Sequence, residues 1–162
     1  MSHVVGAPPA EPMPAEPIRT HTFLGQMLDC FPEMREPVAR KVRSAIGIAY
    51  DQADVNACRT DVYGLLWDLF NEVLMPALAA DPGRERDEVL RRTFSFLERV
   101  AVSPEPVNLD FLEGLTGDYL IGRDGPLSYA HAGPAVRATM IRACANWGMT
   151  VPHDWNAAPP AR

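Results

Sequence analysis

Histidines and carboxylates are the side chains here that could act as acid–base catalysts or metal ligands, and the histidines are widely scattered. They stand at His3, His21, His131 and His153. A zinc site on a helix typically uses two histidines four residues apart, and no pair in this chain has that spacing. His131 has no serine or cysteine visibly placed as its nucleophile, and there is no G-x-S-x-G motif. We therefore expect no metal site and no catalytic histidine.

Three carboxylates between residues 110 and 118 form the second group that could do chemistry: Asp110, Glu113 and Asp118. Paired carboxylates can transfer protons or hold magnesium, but acid–base catalysis requires that one of them be buried with a raised pKa. The spacing of apolar residues in this segment places all three outside. We therefore expect an acidic face that is either solvated or used to bind a partner, and we expect no catalytic residue and no cofactor.

The stretch that should organise the fold runs from residue 61 to residue 80, DVYGLLWDLFNEVLMPALAA. Its apolar side chains recur at intervals of three and four, which predicts a helix with a broad buried face. The members of this face are Val62, Tyr63, Leu66, Trp67, Leu69, Phe70, Val73 and Leu74. Pro76 cannot donate a backbone hydrogen bond, so it should kink or end the helix.

The remaining narrow face of this helix is acidic. Asp61, Asp68 and Glu72, here called the acidic ridge, are separated by nearly whole numbers of turns and should align. No lysine or arginine lies between Asp61 and Asp81. The sequence therefore predicts a bare acidic ridge on a core helix.

Apolar periodicity and turn signals in the rest of the chain predict an all-α fold of about six helices, with no convincing strand. We expect a proline-rich tail at residues 1–19, one helical domain at 20–149 and a C-terminal tail at 150–162. Residues 94–100 (FSFLERV) are echoed at 109–115 (LDFLEGL). Such a repeat is typical of a short α-solenoid of the HEAT type, but an irregular helical bundle would also satisfy the pattern.

Composition narrows the classes of function. The net charge of −6 argues against nucleic-acid binding, which needs a basic face. No run approaches the length of a membrane helix, and the amino end does not look like a secretory signal. Cys30, Cys58 and Cys144 are odd in number and scattered, which favours buried, reduced thiols over a disulfide frame. We expect a cytoplasmic protein.

The segment from Phe31-Pro32-Glu33 through the central helix to FSFLERVAVSPEPVNLDFLEGLTGDYL resembles a family of small bacterial helical proteins of unknown function. Proteins of this appearance often accompany secreted polymorphic toxins as immunity proteins. The resemblance covers about Phe23 to Gly122 and rests mainly on hydrophobic spacing. It implies a toxin as partner, and it provides no catalytic residues that could be carried over to this chain.

Three classes of function are compatible with these observations. The first is a non-enzymatic protein-binding module, such as an immunity protein that neutralises a cognate bacterial toxin. A basic toxin domain would meet its acidic face, formed by Asp61, Asp68, Glu72, Asp110, Glu113 and Asp118. The second is a helical adaptor or scaffold that forms homodimers through an apolar patch near Trp147 and Trp155. The third is an enzyme, which would require a buried acidic residue or histidine in a cavity. We expect the first.

Overall fold

The structure is a computed structural model, and it describes residues 17–46 and 61–156. Within these ranges the chain is all-helical and contains no strand, which confirms the predicted fold class. The helices are α1 (Thr20–Cys30), α2 (Arg35–Ile46), α3 (Val62–Leu69), α4 (Met75–Ala79), α5 (Arg84–Ala101), α6 (Pro106–Tyr119), α7 (Gly125–His131) and α8 (Pro134–Asn146). The segment Tyr50–Arg59 has no clear apolar period and is predicted to be a loop, and Thr60 is predicted to cap the central helix; both lie outside the described residues, as do Cys58, residues 1–16 and residues 157–162.

The central stretch forms one continuous helix built from α3, a π-helical turn (Phe70–Leu74) and α4. Asp61 caps its amino end, because the carboxylate accepts a hydrogen bond of 2.9 Å from the Gly64 amide. The Met75 amide donates to the carbonyl of Phe70, five residues earlier. This widened turn comes immediately before Pro76, whose ring would otherwise press on the carbonyl four residues before it. The helix therefore passes through Pro76 and ends at Ala79.

The core lies around α5 as well as around the central helix. Helix α5 packs against α1, the π-turn, α4, α6, α7 and α8. Phe96 on α5 is buried between Phe23 and Phe31, with edge-on ring contacts at centroid distances of 5.5 Å to each. Edge-on aromatic pairs of this kind stabilise a core beyond the area they bury. The first helix and its C-terminal turn are thereby fixed to α5.

Several predicted helix boundaries need correction. Asp124-Gly125-Pro126 predicts a turn followed by an irregular bridge, but residues 125–131 form helix α7, which Gly125-Pro126 opens. Ser103-Pro104 predicts the cap and first residue of the next helix, but α6 begins at Pro106. Gly122 was expected to end α6 in a left-handed conformation, but among the described residues only Gly148 lies in that region, with a φ of 66°. Gly148 does terminate α8, as its position predicts.

Two segments that the sequence assigns to tails are packed into the domain. The Ile18 side chain is fully buried, and its amide donates to the Arg99 carbonyl at 3.3 Å. At the other end, Trp155 is only 3% exposed and stacks on Tyr129 with a centroid distance of 4.6 Å. The Tyr129 hydroxyl donates to the Trp155 carbonyl. Both segments therefore contribute to the core and to the position of the helices that they contact.

Two further features of the described residues concern the length of apolar helices and the state of the thiols. No helix in residues 17–46 and 61–156 is both long and apolar enough to cross a membrane. Cys144 is buried and Cys30 is partly buried, and both are free thiols. Burial raises the pKa of the Cys144 thiol above its ordinary value.

Candidate functional site

The acidic ridge is not bare, in contrast to the prediction. Lys41 reaches across from α2 and places its Nζ atom 3.1 Å from Asp68 Oδ2 and 3.5 Å from Asp61 Oδ2. Apolar spacing did not predict this contact, because Lys41 belongs to a different helix and stands twenty residues before Asp61. Of the three ridge carboxylates, only Glu72 has neither a hydrogen bond nor an ion pair among the described residues.

Gly64 is the reason that Lys41 can lie so close to the central helix. A Cβ atom at position 64 would lie 2.5 Å from Lys41 Nζ and 2.3 Å from Asp61 Oδ2. Any larger residue would push the ammonium group away from both carboxylates. The glycine at position 64 therefore permits the Lys41 contact. Asp61 and Asp68 are engaged within the molecule through this lysine.

Glu113 on α6 is also engaged within the molecule. Its carboxylate accepts hydrogen bonds from Arg142 Nε at 3.1 Å and from the side-chain amide of Asn146, both on α8. These contacts tie α6 to α8. Glu113 therefore serves the packing of two helices, and its charge is balanced.

Asp110 and Asp118 are the two predicted carboxylates of α6 that stay exposed. Neither has a hydrogen bond or an ion pair with another residue in the described part of the chain. Together with Gly114, they are spaced by four residues and so follow one face of the helix. A Cβ atom at Gly114 would meet nothing within 4 Å, which shows that the surface between the two carboxylates is open.

Aromatic side chains border this face on the side of α3. Tyr63 contacts the ring of Phe111 at a centroid distance of 5.5 Å, and Trp67 contacts Tyr119 at 5.6 Å. Tyr63 and Trp67 were predicted to broaden the buried face of the central helix, but they are 40% and 41% exposed. They cover α6 with one edge and present the other edge to solvent.

The opposite border is formed by Trp147, at the C-terminal end of α8. Its indole Nε1 atom would lie 2.3 Å from a Cβ atom at Gly117, so the ring rests directly on the α6 backbone. The spacing of Trp147 from Val136, Met140 and Cys144 predicts that it points inward with them, yet it is 56% exposed. Its ring rests on the α6 backbone at Gly117 instead of packing inside the domain.

Four of the six large apolar side chains that are exposed among the described residues therefore lie on or against α6. We call this region the α6 surface and define it by Tyr63, Trp67, Val107, Asp110, Asp118 and Trp147. It has aromatic side chains on both sides and two carboxylates along its middle. The sequence predicted the two carboxylates as outward-facing, but it did not predict the aromatic borders.

Outside the α6 surface, His131 and Glu98 are side chains of a type that could do chemistry, and they line the same recess. No three of the His, Cys, Asp and Glu residues in residues 17–46 and 61–156 lie close enough together to hold a metal ion. His131 stacks on Phe94 with a centroid distance of 6.2 Å. Nearby Glu98 accepts bonds from the amides of Ala135 at 2.7 Å and Val136 at 3.0 Å. Both oxygens of Glu98 are thus used to cap α8.

Electrostatics at the start of α6 are also structural. Hydrogen bonds from the Thr20 hydroxyl and the Thr20 amide lower the pKa of Glu105, which precedes α6. The fully buried Asn108 side chain belongs to the same network, because its amide nitrogen donates to the Ser103 hydroxyl at 3.1 Å and to the Glu105 carboxylate at 3.4 Å. This network joins the amino ends of α1 and α6. None of its residues belongs to the α6 surface.

Comparison with protein-family models, with curated protein sequences and with solved structures finds no match for this chain. The chemistry of its surface is therefore the basis for the functional argument that follows.

Proposed function

We propose that this chain is a non-enzymatic protein-binding module that docks a basic partner protein on the α6 surface. The observation that supports the proposal is the concentration of exposed aromatic residues on both sides of Asp110 and Asp118. Tryptophan and tyrosine are enriched in protein interfaces and supply much of the binding energy there. A specific complex buries about 800 Å² on each partner, which requires more than one helix face. The α6 surface includes residues from α3, α6 and the end of α8.

Charge decides which kind of partner fits. Asp110 and Asp118 carry unbalanced negative charge, and the whole chain has a net charge of −6. A partner with lysine or arginine side chains would neutralise these carboxylates and would associate faster through electrostatic attraction. In a symmetric homodimer formed through the same surface, the two copies would place their carboxylates near one another. Like charges at an interface are unfavourable, so a different, basic protein fits better.

The particular partner that we propose is a bacterial toxin domain, with this chain as its cytoplasmic immunity protein. The resemblance of the segment from Phe23 to Gly122 to small helical proteins that accompany polymorphic toxins supports this choice. Many toxin domains act on nucleic acids and therefore present a basic active site, which an acidic and aromatic surface would occlude. Binding in this manner needs no catalytic residue, metal or cofactor on the immunity protein.

Site-specific photo-crosslinking in the source cells tests the proposal. Benzoylphenylalanine would be placed at position 107 or 147 on the α6 surface, and at position 91 on α5 as the control. We expect one basic protein to be crosslinked from positions 107 and 147 and not from position 91. Co-expression with the captured protein should then relieve its toxicity. Crosslinking of the same proteins from all three positions, or of none, would rule out the α6 surface as the docking site.

A helical scaffold that forms homodimers is the second candidate function. The exposure of Trp147, together with that of Met149 two residues later, favours it, because both are large apolar side chains at one end of the domain. Trp155, which was also expected in this patch, is buried and cannot take part. Sedimentation equilibrium separates the candidates. A stable dimer that dissociates in a Trp147→Ala variant would support the scaffold, and a monomer would support the binding module.

A further inference from the structure

A recess separate from the α6 surface lies between the end of the central helix and the beginning of α5. It has a volume of about 480 Å³, within the range usual for binding pockets, and none of its lining residues belongs to α6. Apolar side chains form much of its lining: Val73, Pro76, Ala77, Ala80 and Val89. We call it the α4–α5 groove.

The π-turn supplies one wall of the groove. Glu72 and Val73 lie within this turn, and both line the groove. An ideal α-helix would rotate these two positions relative to Pro76 and Ala77, which also line it. Single π-helical turns are rare and occur frequently at functional sites, because they change the direction of the side chains that follow. The widened turn thus sets a carboxylate beside an apolar lining.

The charges of the groove leave an acidic excess. Glu33 is neutralised by Arg92, and Arg86 is bound to Asp87 at 2.9 Å. The hydrogen bond from Arg91 is the main cause that lowers the pKa of Glu88, and the charge of Arg84 lowers it further.

Three carboxylates in the lining have no ion pair with another described residue: Glu72, Asp81 and Glu85. In the groove lining, these three negative charges face only one arginine that is not in an ion pair with a described residue, Arg84. The excess of negative charge favours a cationic occupant. An apolar lining with an acidic rim matches a long basic side chain, which is apolar along its stem and charged at its end.

We propose that the α4–α5 groove binds a protein segment in which an arginine or lysine adjoins an apolar side chain. The apolar side chain would rest on Val73, Ala77 and Val89, and the cationic group would pair with Glu72 at the rim. A guanidinium group can form two parallel hydrogen bonds with a carboxylate, so arginine should bind more tightly than lysine. This site is independent of the α6 surface and of any partner that binds there.

Titration with two small peptides, followed by ¹H–¹⁵N NMR, tests the proposal. The probe is acetyl-Leu-Arg-amide, and its matched control is acetyl-Leu-citrulline-amide, which has nearly the same shape and no charge. We expect the arginine peptide to shift the amide signals of Glu72, Val73, Ala77 and Glu85 in a saturable manner. The citrulline peptide should bind roughly tenfold more weakly, since it cannot form the charge-assisted pair.

Variants locate the binding and exclude general attraction to an acidic protein. Glu72→Gln should weaken the arginine peptide by about five- to tenfold, whereas Asp110→Asn, which removes the same charge from the α6 surface, should not change its affinity. Circular dichroism and thermal unfolding establish that each variant is folded. Equal binding of the two peptides, unchanged binding by Glu72→Gln, or shifts centred on Asp110 and Asp118 would each overturn the proposal.

Discussion

The Trp147 indole rests on Gly117, and its Nε1 atom would lie 2.3 Å from a Cβ atom at that position. This contact connects the end of α8 to the outer side of α6. It holds a tryptophan at the border of the α6 surface, although the ring remains mostly exposed. The ring is thereby held at the border of the surface on which we propose that a partner docks.

Replacing Gly117 with alanine should displace Trp147. Alanine is favoured over glycine inside a helix by roughly 0.5–1 kcal/mol, but the new methyl group would collide with the indole. Gly114→Ala is the matched control, because its methyl group would meet nothing within 4 Å. We expect Gly114→Ala to raise the free energy of unfolding by about that amount and Gly117→Ala not to raise it.

Urea denaturation measures the stability of both variants, and the indole N–H signal of Trp147 reports its environment by NMR. A Trp147→Phe variant assigns that signal. It should move in Gly117→Ala and stay in place in Gly114→Ala. Equal stabilisation by both substitutions, with an unmoved indole signal, would show that Trp147 does not rest on Gly117.

Glu98 should matter more for stability than its position on α5 suggests. Its carboxylate accepts bonds from two free amides at the start of α8, at 2.7 and 3.0 Å, where Gly133 offers no side-chain cap. Glu98→Ala leaves these amides without their acceptor and should lower the free energy of unfolding by about 1–3 kcal/mol.

Glu88→Ala, on the exposed side of the same helix, is the control, and we expect little change because surface ion pairs contribute little. Chemical denaturation gives both values. If the two substitutions have the same effect, the capping role of Glu98 is wrong.

The pKa of Glu105 gives the stability of the domain a defined dependence on acid. Hydrogen bonds from Thr20 hold this pKa below the ordinary value of 4.5 in the folded chain. The unfolded chain therefore takes up the proton first as the pH falls. The stabilising contribution of Glu105 is present above the unfolded pKa and is lost as the pH falls through the folded pKa.

Thermal unfolding between about pH 5 and pH 3 should show this loss as a decrease in Tm. In Glu105→Gln, which cannot titrate, the decrease should be shallower. Glu85→Gln removes an equal charge at a site without this network and should leave the slope unchanged. Parallel slopes for the wild type and Glu105→Gln would contradict the assignment.

Local sequence signals were sufficient for much of the helical architecture. Pro134 after Gly133 marks the start of α8, and Gly148 marks its end, because these residues have backbone preferences that few neighbours can override. The central helix was predicted from apolar spacing alone. Pro76 was expected to kink or end it, but the helix continues through Pro76 by way of the π-helical turn.

Contacts between residues far apart in the chain could not be predicted in this way. The Lys41 bridge to Asp61 and Asp68 depends on how α2 crosses the central helix, which apolar periodicity does not specify. Apolar periodicity also does not specify the contact between the Trp147 ring and Gly117, which depends on how α8 packs against α6. Six carboxylates were predicted to bind a partner. Asp61 and Asp68 are paired with Lys41, and Glu113 is paired with Arg142. Glu72, Asp110 and Asp118 remain unpaired among the described residues.

Isothermal titration of the crosslinked partner against two charge-reversal variants tests the central claim most directly. Asp110→Lys with Asp118→Lys reverses the charge of the α6 surface, and Asp29→Lys with Glu88→Lys makes the same change in net charge on other exposed positions. We predict that the first pair weakens binding by at least about tenfold and that the second pair weakens it only slightly. Equal affinities for the two pairs would contradict the assignment of the α6 surface as the docking site.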